Sequence, residues 1–470
     1  MGLIYILLTA VVRCQPNAAA RPDDELRPLL RQFTTVYQAV EEHFADPVVP
    51  EQAFYAGAIP GLLRTLDPFS AFLDPEQFQS LKQMQQSVEK GFGSVVSIGL
   101  GRVMVLQTLP GTPSARAGLS PGDEIIEING YRIDRLEIDA LVEVLRESRK
   151  REARLMVRRP GLATLMPFLL TPAELASPSV SRAFLLRPGI GYIKIVSFEQ
   201  DTLKELQEAL EKLGAKNLRG LVVDLRDNPG GSFPAALETA SLFLQPGQVI
   251  LTVRGRSGPP EEIKVPDTAR PFVFPVAALT NGKTASAAEI VAGALQDHDR
   301  AAIVGEPSFG KGLVQRVFDL ADNTGLALTT ARYFTPSGRS IHRPLAGQAG
   351  KPEGGIIPDI LVTPEGYTPF HAALEASASV LHFAQRYTSS RGNIGSDFEV
   401  TAELLDEFQL FLSERQIRPS LSEWSANREY IRNRLKTEIF NLALGVEKGD
   451  EVEAQRDPQI VQAIQALGVR

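Results

Sequence analysis

The chain has 470 residues, more than one compact core accommodates, so several domains are expected. Its 43% hydrophobic and 22% charged content excludes wholesale disorder and fibrous classes, and a net charge of −7 gives no reason to expect a nucleic-acid partner. A single cysteine, Cys14, excludes a disulfide framework and any multi-cysteine metal site, and five histidines make histidine chemistry a poor prospect.

The one long apolar run, residues 3–12, is broken only by Thr9. A bilayer-spanning helix needs about 20 apolar residues, so this run is too short to be one. Polar residues 13–17 and then Ala18-Ala19-Ala20 follow it. Residues 1–20 therefore read as a signal peptide or hydrophobic leader, cleaved or kept as an anchor, and the protein as exported. No basic residue precedes the run, which departs from the usual leader. With Cys14 in the removable segment, the mature chain would carry no thiol.

Leu26, Leu29, Leu30, Phe33, Val36, Tyr37 and Val40 recur at three- and four-residue spacing and predict a helix. A second helix over 50–66 ends in the turn chemistry of Leu66-Asp67-Pro68-Phe69-Ser70, and a third begins near Pro75. Strands at 94–100 and 102–108, a short helix at 113–119, a strand at 124–129, a helix at 139–149 and a strand at 153–158 predict a small β-β-α-β-α-β domain. The basic residues Arg146, Arg149, Lys150, Arg151, Arg154, Arg158 and Arg159 have no interleaved aromatics and read as a solvated face. Beyond residue 181, strands at 191–196, 218–225, 276–280 and 301–304 alternate with helices at 202–213, 234–244 and 286–297. That alternation predicts a largely parallel sheet of β-α-β units. Segments 314–320 and 326–334 flank Ala321-Asp322-Asn323-Thr324-Gly325 as a hairpin. From about 369 the chain is helical and charged, with a spacing that fits both self-association and a packed cap.

Familiar catalytic templates fail: there is no H-E-x-x-H, C-x-x-C or G-x-S-x-G. The histidines (His43, His298, His342, His371, His382) are scattered, and each reads as a surface or cap residue. The run from Gly305 to Lys311 satisfies G-x-x-x-x-G-K, but Gly312 stands where magnesium binding needs a hydroxyl, and a strand follows where a helix is needed. Ser286 lies at a strand-turn-helix corner, where free helix N–H groups and the helix dipole stabilise an oxyanion. A plain N-cap serine is the ordinary alternative. With so few histidines the candidate base is a lysine, which works only when burial keeps it neutral. Lys311, between Gly310 and Gly312, is that candidate. Gln315, four residues on, could hydrogen-bond the amine and hold it toward Ser286. Asp227-Asn228-Pro229-Gly230-Gly231 ends an apolar strand, where glycine lets a backbone N–H approach a substrate carbonyl.

Thr284-Ala285-Ser286-Ala287-Ala288-Glu289-Ile290 and Phe309-Gly310-Lys311-Gly312-Leu313-Val314-Gln315 resemble the carboxyl-terminal processing peptidases, also called tail-specific proteases, of the serine/lysine type. The Ser-to-Lys gap is 25 residues and the Lys-to-Gln gap four, as in that family. Asp224 to Gly231 resembles the family's oxyanion loop, and Leu66 to Leu73 its N-terminal helical motif, with Phe69 where histidine is usual. Residues 329–339 and 355–360 match its late core segments. Gly91-Phe92-Gly93, Ala117-Gly118-Leu119, Pro121-Gly122-Asp123 and Ile126 to Gly130 resemble a PDZ domain, with a compressed stretch between Gly93 and Gly111. The resemblance covers roughly residues 25 to 365.

The resemblance implies an α/β fold with a crotonase-like (β-β-α) catalytic core, an inserted PDZ domain and helical N- and C-terminal regions. The divisions expected are 1–20 leader, 21–88 N-terminal helical region, 89–165 PDZ domain, 166–365 peptidase core and 366–470 C-terminal helical region. It implies peptide hydrolysis with Ser286 as nucleophile, Lys311 as base and Gln315 positioning it. The N–H groups of Ala287 and Gly231 would form the oxyanion hole, with Gly230 nearly as good a choice as Gly231. Gly91, Phe92 and Gly93 would capture a substrate's terminal carboxylate while the peptide adds a strand. The expected partner is a protein or peptide with a free C-terminus, with a second copy or an activating protein as further candidates. No metal or cofactor is required, and the expected location is the periplasm or cell envelope. Two alternatives are a catalytically idle PDZ scaffold, against which the retained Ser, Lys and Gln argue, and an acyl-thioester enzyme of the same fold. The latter has no use for a peptide-tail groove.

Overall fold

The computed structural model describes residues 12–13, 23–67, 69–86, 90–99, 102–109, 111–159, 162, 164–175, 178–256, 258–344, 354–364, 366, 368–391 and 394–468. The expected leader, with Cys14, lies outside the described residues apart from Val12–Arg13. No helix of the described residues is long and apolar enough to cross a membrane.

The centre of the molecule is a sheet in the order Val180–Arg187, Ile190–Ile195, Gly220–Asp224, Val276–Thr280, Ala301–Gly305 and Ile360–Leu361. Its first pair is antiparallel and the rest are parallel. Both faces of a parallel sheet are covered, so its strands read as unbroken apolar runs. Leu221-Val222-Val223 illustrates the consequence of alternating side chains. Leu221 and Val223 join a core with Leu206 and Ile290, from helices Thr202–Lys212 and Ala287–Asp297. Val222 points the other way, with Ala277, Leu279 and Val304, onto Ile460, Ala463 and Ile464 of helix Pro458–Ala466. Each such fully buried valine or isoleucine contributes about 1.5–3 kcal/mol.

A buried ionic network pins that helix to the sheet. Arg226 donates to the fully buried Asp224 at 2.9 and 2.6 Å, to Asp457 at 2.6 Å and to Gln459 at 2.7 Å. Tyr192 completes it with a 2.7 Å bond to Asp224, and Asp457 caps Pro458–Ala466 through the N–H groups of Gln459 and Ile460.

A second, antiparallel sheet packs beside the first, with Leu313–Asp319, Gly325–Phe334, Val249–Gly255 and Glu261–Lys264 in that order. The hairpin expected around 321–325 is its first turn. Ala71–Leu73, just after the Leu66-to-Ser70 turn, pairs with Gly325–Phe334 and brings the N-terminal helical segment to this sheet.

Residues 94–170 form a separate sheet, Ser94–Gly99, Arg102–Thr108, Glu124–Ile128, Ala153–Arg158 and Met166–Leu170, around a core of Val103, Ile125, Leu141 and Val157. The last strand was not expected from the sequence; Pro167 lacks an N–H, which suits only an edge position. Ser94–Gly99 is the other edge.

Beyond residue 369 helices follow one another to Pro458–Ala466 and bury Phe383, Leu405, Phe408 and Leu435 in a core of their own. Gln385 and Val446 of the tail bond to Gly122 and Gln107 of the small sheet domain.

Candidate active site

Ser286 is the residue at the corner between strand Val276–Thr280 and helix Ala287–Asp297. Its backbone has φ 55° and ψ −117°, a conformation that costs an L-residue about 1–3 kcal/mol. The side chain is 2% exposed, and its Oγ has no hydrogen-bond partner. The ordinary N-cap reading therefore does not describe it. A buried hydroxyl left unpaired costs about 1–3 kcal/mol, and strain plus an unmet hydroxyl at one residue is the pattern of a site held ready for something else.

The oxyanion-loop candidates stand directly against this turn. Ala285 N–H donates to Asn228 O at 2.9 Å and Thr284 Oγ1 to Leu225 O at 2.8 Å. Gly230 and Gly231 have φ of 102° and 134°. A Cβ on Gly230 would lie 2.8 Å from Ser286 Cβ, and one on Gly231 would lie 2.1 Å from Phe198 O. Both glycines are dictated by close approach as well as by backbone angle. The structure also separates them. Gly230 N–H already donates to Asn228 Oδ1 at 2.8 Å, whereas among the described residues no acceptor takes the N–H of Gly231 or of Ala287.

Lys311 lies on the loop between strands Ala301–Gly305 and Leu313–Asp319. Burial holds its amine below the ordinary lysine value, while the nearby charge of Glu289 works in the opposite direction. Glu289 joins the two halves of the site. Its carboxylate accepts from the backbone N–H of Ser286 at 2.8 Å, of Gly310 at 2.6 Å and of Lys311 at 2.8 Å, and from Ser308 Oγ at 2.5 Å. It is fully buried, and burial pushes its carboxyl above the usual range despite these four donors. Ser308 in turn accepts from Ile356 N–H at 2.6 Å.

Gln315 is buried on strand Leu313–Asp319, but its Nε2 donates to Phe69 O at 2.9 Å and its Oε1 has no partner. The bond from Gln315 to the Lys311 amine expected from the sequence is not formed in this structure. Phe69 thus holds Gln315 through its main chain.

The PDZ candidates form a separate group. Gly91 pairs with Ala173 across a short antiparallel ladder, Phe92 O accepts from Ser114 N–H at 2.9 Å and Gly93 O from Leu109 N–H at 2.8 Å. Gly93 has φ 75°, and a Cβ there would strike Thr112 at 2.3 Å. His371 is a cap residue, in the capping box that opens helix Pro369–Ala376. His342 is neither surface nor cap: it is 8% exposed, beside the Lys311 loop.

Glu289 was not singled out from the sequence, although Ser286-Ala287-Ala288-Glu289 carries a signal for it. A serine followed three residues later by glutamate at a helix start is a capping box. The Glu289 carboxylate accepts the Ser286 N–H at 2.8 Å, and the Ser286 side chain faces the Glu289 N–H in return without a hydrogen bond of full geometry.

A strained, buried serine at a helix N-terminus, the N–H of Gly231 on the facing loop, free among the described residues, and a half-buried lysine held through its main chain by the carboxylate that also holds the serine thus lie together on an α/β core. The family model for Peptidase family S41 matches residues 189–362, and a PDZ-domain model matches 104–159. The carboxy-terminal-processing protease of Bartonella bacilliformis is 31% identical over 87% of this chain and 92% of its own. The carboxyl-terminal-processing protease of Synechocystis sp. is 35% identical over 68% of this chain and 74% of its own. The carboxy-terminal processing protease CtpB of Bacillus subtilis is 30% identical over 69% and 68%. The chain belongs to the carboxyl-terminal-processing proteases of peptidase family S41, and carries the PDZ domain expected of it.

Proposed function

We propose that the chain is a serine endopeptidase that cleaves exported proteins near or from their C-terminal tails. Ser286 Oγ attacks the scissile carbonyl and its proton passes to the neutral amine of Lys311. The N–H groups of Ala287 and Gly231 receive the carbonyl oxygen as it becomes an oxyanion. On collapse, the Lys311 ammonium returns the proton to the leaving amine. A water then repeats the sequence on the acyl-enzyme, and Gln315 Oε1, unpaired in this structure, is the acceptor that would take up the Lys311 ammonium once it forms. The observation that carries this reading is the buried, strained and unpartnered Ser286 hydroxyl, tied by Glu289 to the loop of a lysine whose amine is shifted toward neutrality.

The core takes a crotonase-like arrangement in this reading, spanning 166–365 between a PDZ domain at 89–165 and helical regions at 21–88 and 366–470, with residues 1–20 as an export leader. The free edge of Ser94–Gly99 supports addition of a substrate tail as a further strand, with Gly91, Phe92 and Gly93 at its carboxylate end. An unstructured peptide with an apolar free C-terminus should be cleaved, and its C-terminal amide should be cleaved with a raised KM. Equal KM for acid and amide contradicts recognition of the tail.

A further inference from the structure

A cavity of about 1180 Å³ opens on the far side of the Lys311 loop and contains neither Ser286 nor Lys311. Leu313, two residues after the lysine, and His342, packed against Gly312, form the wall shared with the catalytic loop. Its lining carries Arg64, Arg254, Arg256, Arg332 and Arg339, the last paired with Asp297, against one carboxylate, Asp67, which accepts from the Phe69 and Ser70 N–H groups and Ser70 Oγ. Arg254 and Arg332 are directly opposed across the antiparallel pair Val249–Gly255 and Gly325–Phe334, and Arg256 continues the same face two residues on. Arg64 closes the cavity from the N-terminal helices.

Like charges placed directly opposite on neighbouring strands destabilise a sheet. Here no carboxylate among the described residues forms an ion pair with Arg64, Arg254, Arg256 or Arg332. The Arg254 guanidinium lies over the Phe334 ring at 4.3 Å, which fixes it without neutralising it. His342 Nδ1 and Thr329 Oγ1, both on the lining, are buried polar atoms with no partner within the protein. Half-buried Arg226 and Arg434 are paired with carboxylates, whereas Arg64, Arg254, Arg256 and Arg332 are exposed. Four exposed cations gathered in a concave site next to the catalytic loop give it a positive field that favours an anionic ligand.

We propose that this cavity binds an acidic stretch of the polypeptide substrate, Asp or Glu residues flanking the cleaved bond, and so sets a preference for tails carrying such a stretch. The inference rests on the peptidase reading for its biological sense, but its binding test does not. A concave cavity suits an extended chain better than it suits a flat anionic membrane surface.

The test uses the full chain with Ser286→Ala and two fluorescent peptides that share one apolar C-terminus and differ only in four Glu or four Gln at the flanking position. Two versions place the run on either side of the scissile segment. Anisotropy titration at low salt is expected to give at least tenfold tighter binding of one Glu peptide than of its Gln twin. The ratio should shrink toward one in about 0.5 M salt, where charges are screened within a few ångströms. Arg254→Glu/Arg332→Glu should abolish the ratio, and Arg254→Lys/Arg332→Lys should retain most of it, separating charge from folding. Equal Kd for Glu and Gln peptides in both positions overturns the proposal, as does a preference that survives the charge reversal. Binding to phosphatidylglycerol vesicles that is lost on charge reversal, with no peptide preference, also overturns it in favour of a membrane surface. A Glu preference in a wild-type chain that cleaves neither peptide upholds this site and contradicts the peptidase reading instead.

Discussion

The carboxylate of Glu289 accepts the backbone N–H of Lys311 at 2.8 Å, across 22 residues of chain, while the same oxygen accepts the N–H of Ser286 at 2.8 Å. One buried oxygen thereby fixes the spacing between the turn that carries the serine and the loop that carries the lysine. Glu289→Gln replaces one acceptor oxygen with an NH2, which must face either the Gly310 N–H or the N–H groups of Ser286 and Lys311, so at least one contact to the catalytic turn or loop must open. Displacement of reacting groups by about 1 Å costs on the order of 10²-fold in rate. The expected result is a kcat lowered by about that factor with KM little changed, read by steady-state cleavage of a tailed peptide. A wild-type kcat contradicts the positioning role.

Lys311 is useful as a base only when neutral. Burial lowers its folded pKa below the ordinary 10.5, so the neutral fraction at any given pH exceeds that of a free lysine. Below the folded pKa, kcat/KM should climb about tenfold per pH unit, then level above it. Lys311→Arg, which stays charged at every accessible pH, should remove activity throughout. A profile flat down to mildly acid pH contradicts a lysine base.

Gly230 has no room for a side chain on the serine side. Its Cβ would meet Ser286 Cβ at 2.8 Å and Ala285 O at 2.9 Å, at a φ of 102° that disfavours any L-residue. Gly230→Ala should shift the Ser286 turn and lower kcat by about 10²-fold or more. Retention of full activity by this variant means that the loop and the serine are not coupled as described.

The Asp224–Arg226–Asp457 network ties the last helix to the sheet. For Asp224, burial acts upward, but the Arg226 hydrogen bonds and charge prevail and hold the carboxyl below the usual range. A depressed carboxyl gives stability that is present above its unfolded value near 4 and is lost as pH falls through the folded value. Arg226→Met strands a buried carboxylate and should cost about 3–5 kcal/mol at neutral pH, measured by urea unfolding. A loss below 1 kcal/mol contradicts the network's structural weight.

Much of this architecture was legible because its determinants are local. Leu221-Val222-Val223 and Val276-Ala277-Ala278-Leu279 are unbroken apolar runs, as strands covered on both faces must be, and the turns at Asn281-Gly282 and Asn228 to Gly231 punctuate them. Strand Val180–Arg187 and the hairpin of Val249–Gly255 with Glu261–Lys264 went unread although each pairs with its neighbour in sequence; the pairing of Val249–Gly255 with Gly325–Phe334 is long-range and has no local signal. Met166–Leu170 was hidden by Pro167, an edge-strand exception. At the site, the Ser, Lys and glycine positions follow from motif and spacing. The convergence of Ser286, Ser308, Gly310 and Lys311 on one carboxylate is tertiary, and so is the facing of Arg254 by Arg332 across 78 residues of sequence.

The central claim is that Ser286 and Lys311 act together on a peptide bond. The direct measurement is the initial rate of cleavage of an unstructured peptide with an apolar free C-terminus by the wild-type chain, by Ser286→Ala and by Lys311→Ala, each shown folded by circular dichroism. The wild type should cleave, and both variants should fall to the level of buffer. Cleavage at the wild-type rate by either folded variant would contradict the dyad.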